Sequence, residues 1–124
     1  VERILFNDPI KPMSEETKNE YLRPFTQQGE DRRPTLTFPR NIPFNEEPID
    51  SHNEIKLNAE FHNTSNIPKL FINADPGFLL VGTQRDEVRS WKNLNEVEVK
   101  GNHFIQEDSP EEITAYIKKF ISEL

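Results

Sequence analysis

The sequence predicts an α/β chain that carries part of an open parallel sheet, and three observations point there. A short apolar run, Lys69-Leu70-Phe71-Ile72-Asn73, is bounded by Pro68 and by Pro76-Gly77. A second stretch, Glu96-Val97-Glu98-Val99-Lys100, alternates strictly between charged and apolar residues. A helical pattern follows each of them, so the order is β-α-β-α, the repeat of a parallel sheet with right-handed crossovers.

The first 66 residues hold Pro9, Pro12, Pro24, Pro34, Pro39, Pro43 and Pro48, and they read as short helices joined by rigid turns. Ser14 is placed to cap a helix over 15–22, with Glu15 and Glu16 in its first turn, and Pro24 ends it. Residues 33–40 cannot form a long helix, because Pro34 and Pro39 each restrict the residue before them and lack an N–H donor. Asp50 or Ser51 opens a third helix to about residue 63, where Ile55, Ala59 and Phe61 make a partial apolar face. The run over 69–73 is uniformly apolar, as in a strand buried on both faces. A helix over 83–92 puts Val88 and Trp91 on one side, and the alternation over 96–100 suits a strand with one wetter face near a sheet edge. Ser109, Pro110 and Glu112 then form a helix start with serine at N-cap, proline at N1 and glutamate at N3, a capping box. The helix they open carries Ile113, Ile117, Phe120, Ile121 and Leu124 at 3.6-residue spacing and needs an apolar floor.

Two strands do not make a stable sheet. Further strands are therefore expected from a missing N-terminal part, from another chain, or from pairing between copies. Composition agrees: only 33% of the 124 residues are hydrophobic, against roughly 45–50% apolar in typical soluble domains. An opening Val1 in place of methionine fits a chain that begins inside a longer one. The net charge of −7, with neither sign gathered into a block, argues against nucleic-acid binding. With no cysteine there is no disulfide scaffold and no thiolate chemistry. Nothing reaches the roughly 20 apolar residues of a membrane span, and Val1-Glu2-Arg3-Ile4-Leu5 does not read as a signal peptide, so a cytoplasmic location is expected.

Three histidines could carry chemistry. His52 and His62 lie ten apart among polar residues with no metal-ligand spacing, and they read as solvated bystanders; no metal site is expected. His103 follows the strand over 96–100 through Gly101-Asn102, which puts it at the C-terminal end of a parallel strand, where open α/β sheets place their sites. Position alone leaves an ordinary loop histidine as the alternative.

The segment Gly101-Asn102-His103-Phe104-Ile105-Gln106-Glu107-Asp108-Ser109-Pro110 closely resembles the catalytic-histidine segment of the haloalkane dehalogenases of the α/β-hydrolase superfamily. Ile67-Pro68-Lys69-Leu70-Phe71-Ile72-Asn73-Ala74-Asp75-Pro76-Gly77 resembles that family's seventh strand and the turn after it. Tyr21-Leu22-Arg23-Pro24-Phe25 and Arg32-Arg33-Pro34-Thr35-Leu36 through Pro43 resemble the end of its helical cap and the return to the sheet. The resemblance spans almost the whole chain and sits nearest the subfamily that includes the Renilla-type luciferases. It implies the C-terminal part of an α/β-hydrolase fold: the last two parallel strands and flanking helices over 49–124, preceded over 1–48 by part of the helical cap and the return segment.

By the same resemblance, a carboxylate attacks the carbon bearing the halogen and a neutral histidine activates water against the resulting alkyl ester. His103 would be that base. Phe104, Leu79, Pro39, Phe38 and Ile4 match walls of the substrate cavity, and Asp8 a position at the tunnel mouth, where an acid is expected to be solvated. No residue matches the nucleophile elbow, the halide-binding tryptophan and asparagine, or the triad acid. Trp91 is not a substitute for that tryptophan, and Asp75 reads as a turn residue. A complementary N-terminal portion is therefore the implied partner, with a small haloalkane, water and halide, and no cofactor. The alternatives are a coelenterazine-type luciferase monooxygenase on the same scaffold and an inactive truncated remnant.

Overall fold

Proline spacing sets the helix lengths in the first half. In the computed structural model, described over residues 5–124, helix α1 (Glu15–Leu22) gives way at Pro24 to a 3₁₀ turn, Arg23–Phe25. After a second turn, Glu30–Arg32, comes α2 (Arg33–Arg40). The helix is 8 residues, about two turns, and holds both prolines. Pro34 sits in the first turn, where no intrahelical N–H is needed, whereas Pro39 cannot donate to the carbonyl of Thr35, and the helix ends one residue later. Thr35 and Thr37 hydroxyls donate to the Arg32 and Arg33 carbonyls, and the Asn41 amide donates to the Thr37 carbonyl. Helix α3 (Ile49–Thr64) begins two residues before the expected start. Residues 15–64 form one of two compact units, and none of them is buried. Leu36, Phe38, Phe44, Leu57 and Phe61 are all exposed. His52 and His62 are half-buried on α3 rather than fully solvated.

The other unit takes the described residues up to Ser14 together with Ser65–Leu124. Its two strands, β1 (Lys69–Pro76) and β2 (Leu94–Gly101), pair in parallel from Lys69↔Leu94 to Pro76↔Gly101. Both run past the expected limits, because the ladder continues where side chains turn polar: Asp75 and Lys100 are register partners and form an ion pair across it. Phe71 and Asn73 are buried while Leu70, Ile72 and Ala74 are half-buried, so neither face of β1 is open, as its apolar run requires. On β2, Val99 is buried and Val97 half-buried, whereas Glu96, Glu98 and Lys100 are exposed, as its alternation requires.

Between the strands lies α4 (Thr83–Arg89), which stops short of residue 92; Trp91 follows it in a turn. After β2 come a short helix, α5 (Ile105–Asp108), and the C-terminal α6 (Pro110–Ser122). Ser109 is the N-cap of α6, but the capping box does not form. Its hydroxyl donates to the Lys100 carbonyl at 2.7 Å and its side chain caps no helix N–H. On α6, Ile113, Tyr116 and Phe120 are half-buried, but Ile117, Ile121 and Leu124 of the expected apolar face are exposed. Among the described residues, the buried apolar side chains are Leu5, Met13, Phe71, Val88 and Val99, all in this unit.

Arg89 bridges α4 to β2 through two hydrogen bonds from Nε and Nη2 to the Glu96 carboxylate, at 2.9 and 2.8 Å. Those bonds hold the Glu96 carboxyl below its usual 4.5. A depressed carboxyl contributes stability that is complete above its unfolded value and lost as pH falls through the folded value. Glu96→Gln should therefore lower the urea midpoint of the chain at pH 7. The gap to the parent should close as pH drops below about 4.5.

Candidate active site

The parallel register brings both strand C-termini to one edge, and the turns leaving them face each other across a cavity. Its volume is about 240 Å³, and its walls include Ile72 and Ala74 of β1, Phe78, Leu79 and Leu80 of the turn after it, and Asn102, His103 and Ile105 of the turn after β2. The lining is apolar apart from the last turn's imidazole and amide. His103 is exposed at this rim, its ring packed edge-on against Phe104 with centroids 4.8 Å apart.

The β1 side of the cavity is shaped by Arg85 of α4. Its guanidinium donates to the carbonyls of Ala74 (2.9 Å), Pro76 (3.2 Å) and Leu80 (3.2 Å), which folds the 77–82 turn and sets Phe78 and Leu79 on the wall. Gly77 makes this possible. It has φ +74, and a Cβ there would lie 2.8 Å from Arg85 Nη2 and 3.0 Å from the Ala74 carbonyl oxygen.

On the β2 side the loop is held by residues from far upstream. One Asp8 oxygen, Oδ2, accepts the backbone N–H of both His103 (2.8 Å) and Phe104 (3.0 Å). The Asn102 amide also donates to Asp8, to its carbonyl at 2.6 Å. Three residues on, the Lys11 N–H donates to Oδ1 of buried Asp108 and the Lys11 ammonium to the Asp108 carbonyl. Hydrogen bonds to a charged acceptor contribute about 1.5–3 kcal/mol each. Gly101 lets α5 close over the strand end, since a Cβ there would meet Ile105 at 3.0 Å and Asp108 Oδ2 at 3.2 Å.

Of the residues singled out from the sequence, His103 and Leu79 share the cavity, while Phe104 packs edge-on against His103 and is not among the cavity's walls. Phe38 and Pro39 belong to α2 in the 15–64 unit, where Phe38 is 75% exposed. Ile4 lies outside the described residues. Asp75 is engaged by Lys100, whose ammonium that hydrogen bond and charge hold above its ordinary range, and it is not a wall of the cavity. Asp8 departs from expectation: its carboxylate is bound to the loop backbone rather than solvated at an entrance. Arg85 and the Asp8 clamp were not visible in the sequence, because both act on backbone groups whose partners depend on the fold. Among the described residues there is no group of three or more side chains suited to a metal ion, and no helix is long and apolar enough to cross a membrane.

No protein-family model matches the sequence. Over its whole length the chain is 47% identical to a haloalkane dehalogenase of Sphingobium indicum, covering 42% of that protein. The chain is homologous to the C-terminal portion of haloalkane dehalogenases. The fold is correspondingly the C-terminal part of an α/β-hydrolase fold. The crystal structure of the ancestral haloalkane dehalogenase AncHLD2 superposes on 98% of the chain with a TM-score of 0.89 at 34% identity, and 43% of that structure is matched. The coelenterazine h 2-monooxygenase of Renilla reniformis is 37% identical over 98% of the chain, again with 39% of the relative covered. The chain thus spans about two fifths of the length of the curated haloalkane dehalogenase it matches. In this haloalkane dehalogenase homologue the cavity depends on the β1 turn. Gly77→Ala should destabilise the chain by roughly 1–3 kcal/mol, read as a lower denaturant midpoint, because an alanine at positive φ also pushes the Arg85 guanidinium off its carbonyls.

Proposed function

We propose that this chain supplies the C-terminal portion, with the base, of an enzyme that hydrolyses the carbon–halogen bond of small haloalkanes to an alcohol and a halide. One observation supports this above others. In a chain 47% identical to a haloalkane dehalogenase, a histidine stands at the C-terminal end of a parallel strand on the rim of an apolar cavity. An aspartate carboxylate on a complementary N-terminal portion attacks the halogen-bearing carbon; a C–O bond forms as the C–X bond breaks, and halide leaves with the bonding pair. Neutral His103 then takes a proton from water, and the hydroxide adds to the ester carbonyl. The acyl C–O bond breaks, the imidazolium returns its proton to the departing alkoxide, and the carboxylic acid left behind releases its proton to solvent, which regenerates both groups. An apolar wall of Phe78, Leu79 and Leu80 suits a small uncharged substrate and strengthens each charge interaction by excluding water.

In this reading residues 1–48 are the end of the helical cap and the return segment, and 49–124 the end of the core domain. Leu79 walls the cavity and Phe104 packs against the base; Phe38, Pro39 and Ile4 match substrate-pocket positions of the cap by resemblance alone. The nucleophile and the halide-binding donors sit on the complementary portion, so the chain alone turns nothing over. The exposed Phe38, Phe44, Ile121 and Leu124 are apolar surface for that portion to cover. The assembled protein needs no cofactor and works in the cytoplasm, with no nucleic-acid or membrane partner.

The similarity to a coelenterazine monooxygenase favours a second reading, light emission from coelenterazine on the same scaffold. Joined to the complementary portion, the chain should release halide from 1,2-dibromoethane; light from coelenterazine without halide release selects the other activity. His103→Gln should still release one equivalent of halide and then stall, with a mass increase equal to the alkyl group. Normal turnover in that variant would remove His103 from the role of base.

A further inference from the structure

We propose that Asp8 is the positioning residue of the His103 loop, a role that rests on reading His103 as the base. The loop between β2 and α5 is three residues long and carries an exposed imidazole. A single oxygen accepts two successive backbone N–H groups only when both point the same way, so the shared bonds to Asp8 Oδ2 fix the peptide planes on either side of His103. The bond from Asn102 to the Asp8 carbonyl adds a third contact of the same sense, so that the loop donates and Asp8 accepts in all three. Lys11 fastens the far end of α5 with bonds of the opposite sense, its N–H and ammonium donating to Asp108. Residues 8–11 therefore form a strap across the whole turn, and its contact nearest the imidazole is Asp8. Asp8 is not a wall of the cavity, so it acts on the reaction through the direction of the His103 side chain and not by touching substrate.

Two measurements test this, and they fail separately. The first reads amide hydrogen exchange by NMR in the chain joined to its complementary portion. Exchange at His103 and Phe104 should be roughly tenfold faster in Asp8→Ala, as expected for loss of about 1.5 kcal/mol of protection. Asp8→Asn, which keeps the acceptor and loses the charge, should fall between the parent and the alanine variant. The Gly77 amide, bonded to the Gly101 carbonyl in the strand ladder, should keep its rate. Should the alanine chain not fold, the asparagine variant carries the comparison alone. Unchanged exchange at His103 and Phe104 in either folded variant overturns the clamp. The second measurement uses the chain joined to its complementary portion. Asp8→Ala should leave the initial halide burst intact and slow ester hydrolysis roughly tenfold to hundredfold, the range that misplacement of a reacting group gives, with Asp8→Asn recovering part of the loss. Equal slowing of both steps, or of neither, overturns the positioning role. If His103→Gln turns over normally, it is the base assignment that fails, and the exchange result still decides the clamp.

Discussion

The parallel pairing of Lys69–Pro76 with Leu94–Gly101 is the constraint from which the rest of the sheet-bearing unit follows. Parallel strands end on the same side, so the two turns that leave them must face each other, and a cavity between them is a consequence of topology. Antiparallel pairing would have sent the 77–82 turn and the 102–104 loop to opposite ends. The connection through α4 satisfies the other demand of a parallel pair, a crossover long enough to carry the chain back. Once the register is set, Leu79 and His103 become neighbours although 24 positions separate them in sequence.

The burial pattern departs from that of a self-sufficient domain. The buried apolar side chains gather where the strands meet α4 and the 5–14 segment, while the helices over 15–64 bury nothing and are fastened by local bonds. Ion pairs such as Lys18–Glu15 and Arg33–Glu30 are exposed and short-range, and pairs of this kind contribute between about 0 and 1 kcal/mol. They shape helices without anchoring them. The apolar side chains that would do so, Leu36, Phe38, Leu57 and Phe61, face outward. The chain spans 42% of the length of a relative 47% identical to it.

Much of the architecture is legible in residue pattern. Alternation at Glu96-Val97-Glu98-Val99-Lys100 and the unbroken run at Leu70-Phe71-Ile72 identify both strands, because side-chain period reports which faces are wet. Their ends are less legible, since Asp75-Pro76 looks like a breaker and the backbone still pairs. The Ser109-Pro110 helix start is correct in place and wrong in mechanism: a local motif implies a local bond, and the serine serves the Lys100 carbonyl instead. Asp8 illustrates the same limit at long range. Nothing in its neighbourhood in sequence announces a partner 95 residues away, and a position at a pocket mouth does not specify which way a carboxylate turns.

The two turns around the cavity are organised by opposite charges for one reason. On the β1 side the chain folds back so that carbonyls crowd together, at Ala74, Pro76 and Leu80, and what satisfies them is a guanidinium, which only donates. On the β2 side two successive N–H groups, those of His103 and Phe104, point the same way, and what satisfies them is a carboxylate, which only accepts. Neither charge belongs to the cavity wall, which stays apolar apart from the imidazole and one amide. The sign of each buttress is thus set by the backbone groups it must satisfy. The interior is left free of fixed charge, so that the imidazole is the one ionisable group among its walls.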